Sequence, residues 1–129
     1  MKQEEKQLLI KDLCGRLPYK VKVTTTNAAV KFGVISGISI ENKISVRTKH
    51  ADIVFNCTEV KPYLFPLSSM TEEQKVIYGD LCYAVIRSLA WNTQAALNEL
   101  VDWLNKNYFD YRGLIPKELA IDATSLSIY

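Results

Sequence analysis

Apolar residues change their spacing along the chain, and each change marks an element. Between Gln3 and Cys14, the residues Leu9, Ile10, Leu13 and Cys14 recur at helical spacing with charged residues between them, which predicts a short amphipathic helix. Gly15 is expected to end it and Pro18 to bar its continuation. The period then falls to two. Val21 and Val23, Val30 with Phe32 and Val34, Ile38 with Ile40, Ile44 with Val46, and Ile53 with Phe55 alternate with small or polar residues, predicting four or five strands. Asn27-Ala28 and Asn42-Lys43 fall where tight turns belong, and short turns join antiparallel neighbours. Gly33 and Gly37 interrupt the long second strand while its apolar face shifts to the pair Val34-Ile35, so a bulge or sharp bend is expected there.

The strands give way to helices after Lys61-Pro62-Tyr63-Leu64-Phe65-Pro66, a proline-extended apolar segment expected to cross from the sheet to the helical half. Thr71 and Gln74 are spaced as a capping box, with Glu72 and Glu73 in the first turn of the helix they open. That helix carries Ile77, Leu81, Val85 and Leu89 on one stripe and Tyr78, Cys82 and Ile86 on the next, a wide apolar face that calls for a cover. Gly79 within it suggests close packing, and Asn92-Thr93 either breaks the helix or sits inside it. Ala96, Leu97, Leu100, Val101 and Leu104 form the face of a further helix ending near Asn105 to Asn107. Past Gly113 the reading is a loop with Pro116, a turn at Lys117 to Leu119, and a last strand. The fold class is therefore α+β: an N-terminal helix, a curved antiparallel sheet of four or five strands, then two packed helices. The leading helix and short bent strands resemble in shape the small barrels of the Sm-like or SH3-like kind, so an open sheet and a small barrel both fit.

Composition narrows the class rather than the fold. A chain of 129 residues, 48% hydrophobic and 23% charged, has the size and make-up of one globular domain spanning residues 1–129. No apolar run approaches the length that spans a bilayer, and Leu8-Leu9-Ile10 is too short for a signal-peptide core, so a cytoplasmic protein without a membrane partner is expected. Cys14, Cys57 and Cys82 are odd in number and far apart, which predicts reduced, mostly buried thiols and no intramolecular disulfide. The net charge of +2 is too small to imply nucleic acid by itself. Its distribution is uneven, however: residues 1–61 hold 11 Lys+Arg against 6 Asp+Glu, and residues 62–129 hold 5 against 8. An acidic ligand on the N-terminal half and an ordinary solvated surface both remain readings of that imbalance.

Two segments carry a family resemblance. The strings Asp102-Trp103-Leu104-Asn105-Lys106-Asn107, Phe109-Asp110-Tyr111-Arg112-Gly113-Leu114-Ile115 and Leu119-Ala120-Ile121-Asp122-Ala123, with Lys61-Pro62-Tyr63-Leu64-Phe65-Pro66-Leu67-Ser68-Ser69-Met70-Thr71-Glu72-Glu73-Gln74, resemble an uncharacterised group of short proteins from gut anaerobic bacteria, their phages and mobile elements. The likeness covers the last half of the chain and the opening helix, whereas Val76 to Ala96 departs from it. It implies a setting and supplies no activity or functional residue.

Candidate chemistry is sparse. His50, flanked by Lys49 and followed by Asp52 and Cys57, has no spacing that demands a Cys/His nucleophile, and the lysine disfavours its charged form. Glu72, Glu73, Asp102, Asp110 and Asp122 are scattered, although folding can bring Asp110 and Asp122 together. Neither a metal-ligand pattern nor a glycine-rich phosphate loop is present, so no metal and no cofactor are expected. The strongest binding candidates are Tyr108, Asp110, Tyr111 and Arg112, joined by Tyr63, because aromatic rings and arginine anchor binding surfaces. The bland alternative packs Tyr108 and Phe109 into the core and pairs Arg112 with Asp110 or Asp122. Trp103 is expected at the edge of the buried helix face, closing the core against Tyr63-Leu64-Phe65. The function expected from all this is a non-enzymatic accessory or protein-interaction protein of a phage or mobile element, with a host or phage protein as partner. The alternative is a nucleic-acid or nucleotide binder using the basic strands, which a basic stripe on one sheet face would favour.

Overall fold

The computed structural model describes residues 1–27, 31–88 and 92–129. Helix α1 (Gln3–Arg16) leads into β1 (Lys22–Thr25), β2 (Gly33–Ile38), β3 (Lys43–Arg47), β4 (Asp52–Asn56) and β5 (Val60–Pro66). Helices α2 (Glu72–Arg87) and α3 (Thr93–Lys106) follow, and two short strands, β6 (Phe109–Asp110) and β7 (Ile121–Asp122), close the chain. The strands run in the order β4-β3-β2-β1-β5-β6, with β7 also on β5. The first five are antiparallel, whereas β6 and β7 lie parallel to β5. The sheet is thus open and mixed, not a closed barrel.

Alternation decides which face is buried. Val23, Ile35, Ile44, Val46, Phe55, Val60 and Leu64 point to one side, where Leu9 and Leu13 of α1 and Leu114 and Leu119 of the C-terminal segment complete a core. The register between β2 and β3 slips between Ile35 and Gly37, leaving Ser36 as the extra residue of a bulge. The bend expected from the shifted apolar pair is therefore present. Asn42 adopts a left-handed φ of 61°, which is why asparagine suits the β2–β3 turn. Val30, Ala28 and Leu89, placed by the hydrophobic pattern in a strand, a turn and a helix, lie outside the described residues.

Several expectations need correction. Gly15 does not end α1, which runs on to Arg16; a Cβ there would stand 3.2 Å from Asn105 Nδ2, so its smallness serves the packing of α1 on α3. Ile40 belongs to no strand and is fully exposed. Lys61–Pro66 is not a mere crossing segment but lies within β5, an interior strand: its prolines are tolerated because Pro62 faces Val23 and Pro66 ends the strand. The cysteines are free, yet Cys14 is exposed and Cys82 only half-buried, leaving Cys57 as the one in the core.

A second, smaller cluster joins Met70, Leu104 and Phe109, with Phe65, Tyr78, Leu100, Trp103 and Tyr111 around it. Trp103 stacks on Phe109 at 5.6 Å and on Tyr78 at 6.3 Å, and shares this cluster with Phe65. Its place at the edge of the buried helix face follows from its angle to Leu104. The capping box of α2 is formed, Thr71 Oγ1 accepting from Gln74 N and Gln74 Oε1 from Thr71 N. The wide apolar face of α2 is only partly covered: Tyr78, Leu81, Cys82 and Val85 are half-buried, Ile77 and Ile86 are exposed, and no residue of this helix is fully buried. Gly79 meets nothing within 4 Å, so it marks no close packing within the chain.

The two glycines should respond oppositely to alanine. A Cβ on Gly33 would collide with Val46 Cγ1 and sit 3.1 Å from the Arg47 carbonyl, so Gly33→Ala is expected to cost about 1–3 kcal/mol in a denaturant titration. In the monomeric chain Gly79→Ala is expected to stabilise by about 0.5–1 kcal/mol, because within one chain helix propensity alone changes.

Candidate functional site

Asp12 and Arg16, one helical turn apart on α1, are both completely buried. Arg16 Nε donates to Asp12 Oδ2 at 2.7 Å and Nη2 to Asp12 Oδ1 at 3.1 Å, a two-pronged pair. Nη2 also donates to the Phe109 carbonyl at 2.6 Å, tying α1 to β6. Nη1 has no hydrogen-bond partner, and the Tyr111 ring lies 5.2 Å from the guanidinium carbon. Arg112 adds a longer contact to Asp12 Oδ1 at 3.4 Å, and its guanidinium stands 4.8 Å from the centre of the Tyr111 ring. Tyr111 is thus shared by two arginines while its hydroxyl donates to Asn105 Oδ1 at 2.9 Å.

This arrangement gathers the predicted residues but gives most of them an internal task. Arg112 pairs with Asp12 rather than with Asp110 or Asp122. Asp110 is buried, and its two oxygens each accept a backbone N–H at 2.8 Å, from Leu114 and Ile115, so it caps the turn that follows. Asp122 is bonded by the amide and hydroxyl of Thr124, which hold its carboxyl below the usual carboxylate range. No contact joins Asp110 to Asp122 among the described residues. Tyr108 has a left-handed φ of 61°, held by its hydroxyl donating to the Tyr19 carbonyl at 2.7 Å and by stacking on Tyr129 at 3.8 Å.

Tyr63, on the outward face of β5, is buried, with the Phe32 ring over it. Phe32 stacks on it nearly parallel, at 5.4 Å and 16°, while Tyr129 donates its hydroxyl to the Tyr63 carbonyl at 2.9 Å. Phe32 itself stays 57% exposed. Around it open two adjoining hollows of about 520 and 440 Å³, lined by Lys22, Arg47 and Lys49 and by Lys31, Lys49 and His50 respectively, with Phe32 in both. Alternation explains part of this: Lys22, Arg47 and Lys61 stand on the face of the sheet opposite the core residues. Composition hinted at it through the basic first half of the chain, but Phe32 reads in sequence as one more apolar strand position.

Elsewhere, a hollow of about 660 Å³ lies between α2 and α3 over Ala84, Ala95 and Ala96, with Asp80, Tyr83, Arg87 and Glu99 at its rim. Its carboxylates are accompanied by no histidine or cysteine. Among the described residues no three His, Cys, Asp or Glu side chains converge, and no helix is long and apolar enough to cross a membrane. The chain matches no family model, no curated protein and no solved structure.

The Tyr129 hydroxyl, enclosed between the Lys22 amide that donates to it and the Tyr63 carbonyl, has its pKa pushed well above that of a free phenol by burial. A tyrosine whose folded pKa exceeds its unfolded value of about 10 contributes stability that is complete below that pH and lost as pH rises above it. Stability should therefore fall as pH rises through the alkaline range, and the fall should be shallower in Tyr129→Phe. Denaturant midpoints measured across that range check this.

Proposed function

We propose that the protein is a non-enzymatic interaction protein that docks through the outward face of α2, with a second copy of the chain as the occupant of that face. The observation that carries this reading is that α2 buries none of its side chains although more than half of them are apolar. The most exposed stripe of the helix holds Val76, Tyr83 and Ile86, exposed by 64, 58 and 79% and lying within about a quarter turn of one another, with Tyr83 also bordering the hollow shared with α3. Apolar groups so grouped are a cost in a lone protein and a contact in an assembly.

Charge selects the occupant. Glu72 and Glu73 stand at one end of the stripe and Arg87 at the other. In an isologous antiparallel pair, the register that sets Val76 against Tyr83 of the copy also sets Glu72 against its Arg87. Gly79, with open space where a Cβ would stand, lies at the crossing and permits close approach of the two helices. The Lys75–Glu72 pair at 3.1 Å is exposed and too weak to compete with a partly desolvated contact.

The stretch Val76 to Ala96 is also the one that departs from the resembled group, so the surface particular to this chain is the one left bare. On this reading the paired chain serves as an accessory protein of a phage or mobile element. The non-enzymatic character is supported by Asp110 and Asp122 being committed to backbone and hydroxyl donors and by His50 standing exposed beside Lys49.

Sedimentation over a range of concentrations should show a monomer–dimer equilibrium. Ile86→Glu should abolish the dimer without unfolding the chain, since that side chain is 79% exposed. Arg87→Glu should weaken the dimer and Glu72→Lys added to it should restore it. A chain that stays monomeric, or a dimer indifferent to these changes, would contradict the proposal.

A further inference from the structure

The exposed Phe32 ring and the lysines beside it have no part in the α2 surface and stand on a different face. We infer that this outer face of the sheet binds single-stranded nucleic acid, one base stacking on Phe32 and the flanking phosphates meeting Lys31, Arg47 and Lys49.

Phe32 is a platform rather than a stray apolar group. Its stack on Tyr63 fixes the plane of the ring, and Tyr63 is in turn buried, its carbonyl accepting from the Tyr129 hydroxyl. A base added to the free side of Phe32 would extend a stack already begun, which is how sequence-tolerant single-strand binders hold bases. The ring is therefore preorganised, and little side-chain freedom is lost on binding.

The charge around it has one sign. Lys22, Lys31, Arg47 and Lys49 line the two hollows that share Phe32, and no Asp or Glu lines either. Lys31 and Lys49 make no hydrogen bond or ion pair to any described residue, so both are available to phosphate. Arg47 pairs with Asp52 at 3.2 Å, but with side chains 69 and 47% exposed the pair exchanges readily for a phosphate contact. Lys22 is engaged more firmly, bonded to the Ile128 carbonyl and set 5.4 Å from the centre of the Tyr129 ring, and it serves to hold the C-terminal residues that wall the groove. Cations on both sides of a single flat ring suit a strand that runs across it, with its backbone alternating past the base. A duplex hides its base faces and offers nothing to the ring.

Fluorescence anisotropy with a short labelled oligothymidine, its duplex form, and inorganic polyphosphate as competitor tests the inference. The single strand should bind, the duplex more weakly, and polyphosphate should compete poorly. Phe32→Ala should weaken binding about tenfold, while Phe32→Trp retains or tightens it. Lys49→Ala and Lys31→Ala should each reduce the slope of log affinity against log salt by about 0.7. Phe32→Leu, which keeps the apolar bulk over Tyr63, should weaken binding like alanine and covers the case in which alanine disturbs folding. Absence of binding, a duplex preference, or equal binding of polyphosphate with no effect of Phe32 substitution would overturn it. None of these readouts depends on dimer formation, because the Ile86→Glu monomer should bind the single strand as the unaltered chain does.

Discussion

Everything else in this fold leans on one buried ion pair. Asp12 and Arg16 lie wholly out of water, where an unpartnered charge costs several kcal/mol, so the pair persists only because its remaining valences are met. All but Arg16 Nη1, which has no hydrogen-bond partner among the described residues, are met by the far end of the chain: the Phe109 carbonyl accepts from Arg16, Arg112 approaches Asp12, and Tyr111 covers the guanidinium. The pair therefore fastens the first helix to the last third of the sequence. With α1 fixed, Leu9 and Leu13 are held under the sheet, and with Phe109 fixed, β6 is held against β5.

That fastening divides the molecule into a closed body and an open periphery. The body is α1, the sheet's inner face and the C-terminal segment, where Asp110 caps the turn that brings Leu114 into the core. The residues that look most functional in the sequence, Tyr108 to Arg112, are spent there on holding the chain together. Two surfaces are left over: the α2 stripe, apolar and uncovered, and the outer sheet face, basic around one exposed ring. Each is anchored to the body by aromatic contacts, Tyr78 on Trp103 for the helices and Tyr63 under Phe32 for the sheet.

Much of the fold was legible in the residues because local rules and tertiary structure agree. The alternation of Val23, Ile35, Ile44, Val46 and Phe55 names the buried sheet face, the Gly33-Gly37 stretch announces the bulge, and Thr71 with Gln74 marks the start of α2. What stayed hidden was long-range. Asp12 and Arg16 have the spacing of an ordinary solvated helix pair, and nothing local says that residues ninety positions away will bury them. Gly15 reads as a stop because glycine usually is one, yet here it makes room for Asn105. The stripes of α2 call for a cover, yet no residue of this helix is buried. Phe32 escaped for another reason: in sequence it is one more apolar residue at strand spacing, and only the register that pairs its neighbour Val34 with Lys22 and Arg47 shows that it lies on the outer face.

Native-state hydrogen exchange on Arg16→Met tests the central claim most directly, because it reads the stability of each end of the chain separately. Met keeps the apolar bulk of the side chain but leaves Asp12 buried with only the distant Arg112. The account predicts a loss of about 3–5 kcal/mol of protection that appears together in α1 and at the Leu114 and Ile115 amides bonded to Asp110. A loss confined to α1, or one below about 1 kcal/mol with the C-terminal amides unchanged, would contradict it.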